Sequence, residues 1–317
     1  MSSPTDSARR TAVRYVSFRD THDALRVGAI ARDDPTVVLD LTADVPKGPH
    51  GPMRRLIEAA SVGAWTAEEA LRTATELPRA DVVLIAPVPE PSKIVAAPVN
   101  YRNHQEEMSS DSQIDALGVF LKAPSSVTGH ESVVRLPYTD RRFDQEGEFA
   151  VVIGRQARHV RAADALQHVF GFTSLLDMTM RGGEDRSVRK SFDTFTPMGP
   201  TLVTPDEVQE IDELELKLWV NGTLRQRADL ADLIWDVPRL IAYASSVMTL
   251  FPGDVVTTGT PEGVGGVRDG DRIELEITGL DRLAVGVSSA GAVACPTLGA
   301  GRGPRPPSEL TPVRPRT

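Results

Sequence analysis

Two glutamates at the start of an apolar strand have the residue type and spacing that could do chemistry. Glu146 and Glu148 are two positions apart, next to the hydrophobic run 149–153. Residues i and i+2 of a β-strand project from the same face. Two neighbouring carboxylates repel each other, and burial increases the cost. A hard divalent cation that binds both oxygens removes this repulsion, so the pair predicts a metal site.

The Glu-x-Glu spacing alone is a weak signal, because an exposed edge strand with two surface carboxylates shows it too. The strands predicted over 213–220 and 272–277 carry the same spacing and are interpreted as solvated surface. Glu146 and Glu148 differ from these because a second apolar run, 171–176, ends in a single acid, Asp177. A third carboxylate is what a magnesium or manganese site still requires.

His104 is the leading candidate for acid–base chemistry. Glu107 lies three residues later, and positions i and i+3 share one face of a helical turn. Glu107 is therefore placed to bind one ring nitrogen and to orient the other toward a water molecule. Glu106 is expected on a different face. The polar stretch 105–118 is interpreted as a flexible lid over the substrate, with a plain surface loop as the alternative.

Composition excludes several classes of protein. The net charge of −9 leaves no basic stripe for a nucleic-acid partner. The single cysteine, Cys295, excludes a disulfide within the chain and fits a cytoplasmic location. No stretch approaches the roughly 18 consecutive apolar residues of a membrane-spanning helix, so we expect no membrane association. The first residues lack the apolar core of a secretory signal.

The pattern along the 317 residues predicts two folded parts and two disordered ends. Residues 1–11 are expected to be disordered, 12–90 to form a small N-terminal α+β domain, 91–295 to form a mostly β catalytic domain, and the Pro-, Arg- and Gly-rich stretch 296–317 to be disordered. Alternating or apolar runs predict strands over 13–18, 25–31 and 36–41, and apolar periodicity predicts helices over 52–60, 66–75 and 238–248.

Several motifs, in order along the chain, resemble those of the fumarylacetoacetate hydrolase family, the fumarylacetoacetase C-terminal-domain superfamily. The motifs are Lys93–Val95, Asn100–Glu107, Phe120–Ser126, Glu146–Gly154, Asp177, Lys190–Pro200, Val220–Gly222 and Leu250–Gly265. The resemblance implies a mostly β (α+β) fold, a mixed β-sheet roll with barrel-like character and few helices, usually found as a homodimer.

The resemblance also implies the roles of individual residues. It makes Glu146, Glu148 and Asp177 the ligands of Mg²⁺, or of Mn²⁺ or Ca²⁺. It makes His104 and Glu107 a catalytic dyad, and it gives Lys190 the task of stabilising negative charge on a substrate oxygen. The residues matched to substrate-binding positions are Tyr101, Lys122, Arg181, Gly259 and Thr260. The role of Lys122 within this set stays open.

The implied reaction is hydrolysis of a C–C bond in a 1,3-diketo acid, such as an acylpyruvate or fumarylpyruvate. The metal stabilises the enolate that leaves, and the dyad activates water. A decarboxylase, tautomerase, isomerase or hydratase of a β-keto or dienoic acid is the alternative at the same site. A non-catalytic metabolite-binding relative is a second alternative. The expected partner is a small anionic keto acid or diketone.

The chain departs from the family pattern around the substrate. Leu175 and Leu176 precede Asp177 where relatives usually carry Gly-Asn, and the stretch from Asp177 to Lys190 is shorter than in many relatives. These differences leave the metal ligands intact and leave the substrate open.

Overall fold

The computed structural model describes residues 13–31, 34–108, 114–208, 210–307 and 310–314. The N-terminal part contains β1 (Arg14–Arg19), β2 (Leu25–Ile30), β3 (Val37–Asp40), α1 (Pro52–Ser61), α2 (Ala67–Thr73), β4 (Thr75–Pro78) and β5 (Val83–Leu84). The remainder contains β6 (Ile94–Ala96), α3 (Arg102–Glu107), α4 (Ile114–Leu117), β7 (Phe120–Lys122), β8 (Val127–Thr128), β9 (Val133–Arg135), β10 (Phe143–Gln145), β11 (Gly147–Ile153), β12 (Val169–Leu176), β13 (Thr179–Met180), α5 (Arg186–Arg189), β14 (Thr196–Pro197), β15 (Leu202–Val203), β16 (Glu215–Val220), β17 (Thr223–Asp229), α6 (Val237–Val247), β18 (Val255–Thr257), β19 (Gly265–Val267), β20 (Arg272–Ile277) and β21 (Leu283–Ser288).

One large mixed sheet runs through the protein. Its strands follow the order β4-β3-β2-β1-β15-β12-β11-β18-β6-β7, and β5 pairs with β1. The N-terminal strands join the others where β1 pairs antiparallel with β15, with Arg14 opposite Val203. The stretch expected to form a separate small domain therefore shares a sheet with the rest of the chain. The domain boundary at residue 90 stays a prediction.

The central strand β11 explains the apolar run that follows Glu148. A second sheet, of order β17-β16-β20-β21-β9, covers one side of this strand. Phe149 and Val151 belong to the core cluster shared with that second sheet. Ala150 and Val152 belong to a different cluster, which includes residues of α1. A strand covered on both faces requires apolar side chains on both.

Helix α6 begins and ends close to where the sequence predicts. The Asp236 side chain accepts a hydrogen bond from the Arg239 N–H at 2.8 Å, which caps the first turn. Pro238 stands in that turn, where its missing N–H costs nothing. Leu240, Ile241 and Ala244 are buried. No helix in the described ranges combines the length and the apolar character needed to cross a membrane.

The prediction of a mostly β fold with mixed sheets and few helices is confirmed. One detail of the strand interpretation is wrong. β16 begins at Glu215, and Glu213 lies before it. Glu215 is buried and pairs with Lys217 and Arg227, so it is not solvated surface. Glu276 on β20, by contrast, is 42% exposed as expected.

The C-terminal stretch, which its composition predicts to be disordered, makes defined contacts where it is described. The Pro306 carbonyl accepts a hydrogen bond from Arg142 at 3.4 Å. The hydroxyl of Thr311 donates to Glu107 at 2.6 Å. Residues 1–11, also expected to be disordered, lie outside the described residues.

Candidate metal centre and acid–base pair

The three carboxylates that the sequence suggests as metal ligands come from two neighbouring strands. Glu146 lies in the break between β10 and β11, Glu148 is on β11, and Asp177 follows β12. The Asp177 N–H donates to the Glu146 carbonyl at 2.8 Å, which continues the pairing of the two strands. One oxygen from each carboxylate lies within 4.8 Å of the others. The strand is interrupted at Glu146, which the sequence does not predict, yet the carboxylates converge.

Burial makes negative charge costly at this centre. Glu146 is 4% exposed, and Glu148 and Asp177 are each 1% exposed. Burial and the charge of Asp177 raise the pKa of Glu148 to about 8. Burial acts in the same direction on Glu146, but Lys190 and Arg181 outweigh it and hold the pKa of Glu146 well below its ordinary value. Glu148 is therefore the carboxylate that lacks compensating positive charge.

Two buried lysines supply part of the compensation. The Lys190 ammonium donates to Glu146 Oε2 at 2.7 Å, to Asp177 Oδ2 at 2.5 Å and to Thr179 Oγ1 at 2.7 Å. Lys122 donates to the other oxygen of Asp177 and, at 3.0 Å, to a backbone carbonyl. Despite burial, the surrounding carboxylates raise the pKa of Lys190 above its ordinary value. All three N–H donors of Lys190 are thus engaged within the centre.

Arg181 contacts acids in this structure. Its Nε donates to Asp144 Oδ2 at 2.6 Å and its Nη2 to Glu146 Oε1 at 2.8 Å. The side chain is 5% exposed. The structure shows that Arg181 bridges two carboxylates and orients Glu146. Its role as a substrate contact, which the resemblance implies, stays a prediction. Sequence reasoning missed Asp144, although the alternation of acids at 144, 146 and 148 was a signal for it.

His104 and Glu107 face each other on the short helix α3. His104 Nδ1 lies 3.1 Å from Glu107 Oε2. The two side chains are 5% and 2% exposed, whereas Glu106 between them in sequence is 68% exposed. The i, i+3 geometry therefore occurs as expected, and the role of the pair stays a prediction. The Gly263 N–H donates to Glu107 Oε1 at 3.0 Å, and the Gly263 carbonyl accepts from the side chain of Gln145, the residue before Glu146, at 3.0 Å. Gly263 therefore links the pair to the carboxylate centre.

The loop after β18 supports Glu148. Glu148 Oε2 accepts a hydrogen bond from the hydroxyl of Thr257, the last residue of β18. It accepts a second one, at 2.9 Å, from the Gly259 N–H in the loop. Gly259 has a φ of +87°, a conformation that glycine adopts without strain. The Thr260 hydroxyl accepts from Gln226 Nε2 at 2.8 Å. The Gly259 amide, which the resemblance matches to a substrate-binding position, is therefore bound to Glu148 here, whereas the Thr260 hydroxyl accepts a hydrogen bond and keeps its own hydrogen for donation.

Tyr101 carries a buried phenol with no hydrogen-bond partner among the described residues. Burial, together with the charge of Glu148, raises the pKa of Tyr101 above its ordinary value, so the group is a neutral donor. A buried hydroxyl without a partner is costly. Tyr101 is thus a residue matched to substrate binding whose buried polar atom has no hydrogen-bond partner in the described part of the chain.

The donor set fits a hard divalent cation. Mg²⁺, Mn²⁺ and Ca²⁺ all prefer carboxylate oxygens, and Glu146, Glu148 and Asp177 each provide one that faces the others. The raised pKa of Glu148 shows that positive charge is still needed at this point. Three protein ligands leave further coordination positions for water or for a chelating substrate.

Residues 93–288 match the family described as fumarylacetoacetate (FAA) hydrolase C-terminal. That region is more than half of the chain, so the protein belongs to this family. The predicted membership is confirmed.

Relatives within the family are named as enzymes with different reactions. The chain is 44% identical to maleylpyruvate hydrolase of Aquipseudomonas alcaligenes over 233 residues, which are 70% of this chain and 81% of that one. It is 41% identical to oxaloacetate tautomerase YisK of Bacillus subtilis over 218 residues, covering 64% of this chain and 72% of the other. Among solved structures, maleylpyruvate hydrolase from Sphingobium sp. SYK-6, in complex with manganese(II) and pyruvate, superimposes with a TM-score of 0.74 at 40% identity. That match covers 87% of this chain and 99% of the other.

Proposed function

We propose that this protein is a divalent-metal-dependent hydrolase that cleaves a C–C bond in an acylpyruvate, with maleylpyruvate as the first substrate to test. The observation that carries the proposal is that Gly263 and Gln145 connect the His104–Glu107 pair to the three buried carboxylates Glu146, Glu148 and Asp177. The relatives named maleylpyruvate hydrolase support the choice of substrate.

In the proposed mechanism Glu146, Glu148 and Asp177 hold the cation. A bound divalent cation would polarise the substrate carbonyls and stabilise negative charge on their oxygens. We infer Mn²⁺ or Mg²⁺, because one similar structure contains manganese(II) with pyruvate. Arg181 would keep the Glu146 carboxylate in place, since its guanidinium bridges Glu146 and Asp144. Lys122 would do the same for Asp177.

The acid–base steps fall to α3. Glu107 holds one ring nitrogen of His104, and the other nitrogen takes a proton from water. The resulting hydroxide attacks the acyl carbonyl, which is the carbonyl outside the pyruvate part of the substrate. The C–C bond then breaks, the electron pair leaves with the enolate of pyruvate, and that carbon later takes up a proton. Lys190, whose three N–H donors are already engaged, would offset the negative charge on the attacked oxygen through its positive charge alone.

Tyr101 is the residue we propose as a neutral hydrogen-bond donor to the substrate. Its phenol is buried and has no partner among the residues that the structure describes. A substrate carboxylate or carbonyl oxygen would satisfy this donor. Tyr101→Phe should therefore raise the KM by about 10- to 100-fold and change kcat less, because a lost hydrogen bond to a charged group costs about 1.5–3 kcal/mol.

A tautomerase is the second candidate, because the chain is about as similar to oxaloacetate tautomerases as to hydrolases. Keto–enol exchange of a β-keto acid needs proton transfer at carbon and no attack by water. The same His104 base would serve that reaction. Decarboxylation, isomerisation and hydration stay further alternatives at this site.

One experiment separates these possibilities. The Mn²⁺-loaded protein is mixed with maleylpyruvate and, separately, with enol-oxaloacetate, and ultraviolet absorbance is followed together with released pyruvate. A hydrolase consumes maleylpyruvate and releases one equivalent of pyruvate. A tautomerase changes the enol absorbance and releases no pyruvate. Metal binding without turnover of either compound contradicts both proposals and favours a metabolite-binding protein.

A further inference from the structure

The last described residues, 310–314, lie beyond the region that matches the family, which ends at residue 288. Leu310 packs at the end of the glycine-containing loop 258–264, against the first residue of β19: a β-carbon built on Gly265 would lie 3.7 Å from Leu310 Cδ2. Arg314 reaches Glu262 at 3.2 Å and Glu106 at 3.5 Å. The segment thus connects this glycine-containing loop with helix α3.

Thr311 is the residue of this segment that contacts the acid–base pair. Its Oγ1 donates to Glu107 Oε1 at 2.6 Å. The Gly263 N–H donates to the same oxygen at 3.0 Å. The other oxygen, Oε2, lies 3.1 Å from His104 Nδ1. Three parts of the chain therefore determine the orientation of the Glu107 carboxylate: α3 itself, the glycine loop and the C-terminal segment.

Helix α3 needs such external contacts. It has six residues, and isolated helices shorter than about 12 residues are marginal in water. The orientation of an imidazole follows the carboxylate that holds its second nitrogen. A contact that fixes the orientation of the Glu107 carboxylate therefore also fixes the orientation of the His104 ring.

We propose that residues 310–314 form a C-terminal strap across α3, and that Thr311 is a positioning residue for the His104–Glu107 pair. Arg314 determines where the strap lies, through Glu106 and Glu262. Its side chain is 59% exposed, so its ion pairs add little individually. The hydroxyl of Thr311, which bonds to a carboxylate that is 2% exposed, provides the main contact.

The charges around Glu107 agree with this assignment. Burial raises the pKa of Glu107, but hydrogen bonds from His104 and Thr311 outweigh burial and lower it below the ordinary value. The other charged groups near the carboxylate are Glu106, Glu262 and Arg314. Removal of the Thr311 hydroxyl should therefore raise the pKa of Glu107.

The kinetic arm of the test, which rests on the proposed function, compares Thr311→Val with Thr311→Ser in the full-length, Mn²⁺-loaded protein. The substrate is maleylpyruvate or oxaloacetate, whichever the wild type turns over. Thr311→Val should lower kcat by about tenfold, with KM changed less than twofold, because a hydrogen bond to a charged group is lost. The acid limb of the pH profile of kcat/KM should move to higher pH. Thr311→Ser should restore both.

The matched control is Thr223→Val, at an exposed position on β17, which should leave the rate and the pH profile unchanged. A Thr311→Val protein with wild-type kinetics and pH profile overturns the proposal. So does a Thr311→Ser protein as impaired as Thr311→Val, because that result indicates a general packing role.

The second arm does not require activity. Hydrogen–deuterium exchange of the peptide 102–108 is compared in the wild type, in Thr223→Val and in the double variant Thr311→Val/Arg314→Gln. The double variant should exchange faster in this peptide, and the control should not. Equal exchange in all three proteins overturns the strap. If the wild type turns over neither substrate, the proposed function fails, while this arm still decides whether the strap exists.

Discussion

Replacement of Glu148 by glutamine should stabilise the metal-free protein and remove its response to metal. The pKa of Glu148 is raised from its ordinary value of 4.5 to about 8 in the folded state. Between these two values folding takes up a proton, so the contribution of this group to stability falls as the pH rises from about 4.5 to about 8. At pH 7 the penalty is about 2.5 pKa units, or about 3 kcal/mol. Glutamine is always neutral and does not incur it.

The hydrogen bonds of Glu148 do not oppose this expectation. The side-chain oxygen of glutamine can accept the same bonds from Thr257 and from the Gly259 N–H. In the absence of metal, Glu148→Gln should therefore unfold at a higher urea concentration than the wild type at pH 7, and at nearly the same concentration at pH 5. Added Mn²⁺ should stabilise the wild type by mass action and leave the variant unchanged.

The assay is urea unfolding at pH 5, 7 and 8, with EDTA and with Mn²⁺. Glu276→Gln is the matched control, since Glu276 has the same Glu-x-Glu spacing but is 42% exposed and pairs with Arg282. That variant should change stability by less than about 0.5 kcal/mol at each pH. A metal-free Glu148→Gln protein that is less stable than the wild type at pH 7 refutes the charge balance described for this site.

Three other outcomes follow from the same site. His104→Ala should lower kcat by about 10²–10⁴-fold while Mn²⁺ still binds, and calorimetric loss of metal binding in this variant would contradict its assignment as the base. Arg181→Lys should weaken Mn²⁺ binding by about 10–100-fold, because lysine cannot bridge Glu146 and Asp144; an unchanged metal affinity with a raised KM would instead indicate that Arg181 acts mainly as a substrate contact. Mn²⁺ affinity of the wild type should increase from pH 6 to pH 8 and then level off, because the proton on Glu148 competes with the metal, and a pH-independent affinity would count against this explanation.

The features that were predictable from the sequence are those carried by local patterns. Alternating apolar residues located β20 at its observed bounds, and apolar periodicity located α6 within a residue. The i, i+3 spacing placed Glu107 beside His104. The three carboxylates could be recognised because each is an acid next to an apolar strand, and this contrast is present in the order of residues along the chain.

Other features depend on contacts between residues that are far apart in the sequence. Local sequence patterns do not predict such contacts. Arg181 and Asp144 are 37 positions apart, and Thr311 and Glu107 are 204 positions apart. The C-terminal stretch contains few large apolar residues, and such a composition favours disorder. Composition does not reveal that a single hydroxyl in this stretch binds a buried carboxylate. The homodimer and the cytoplasmic location stay predictions.

The central claim is that Glu146, Glu148 and Asp177 together hold a divalent cation against which a keto acid binds. Anomalous diffraction from crystals grown with Mn²⁺ and pyruvate tests it most directly. The account predicts a manganese peak in contact with one oxygen from each of the three carboxylates, with pyruvate in the remaining coordination positions. A manganese ion elsewhere, or none at this centre while Lys190 still bridges Glu146 and Asp177, would contradict it.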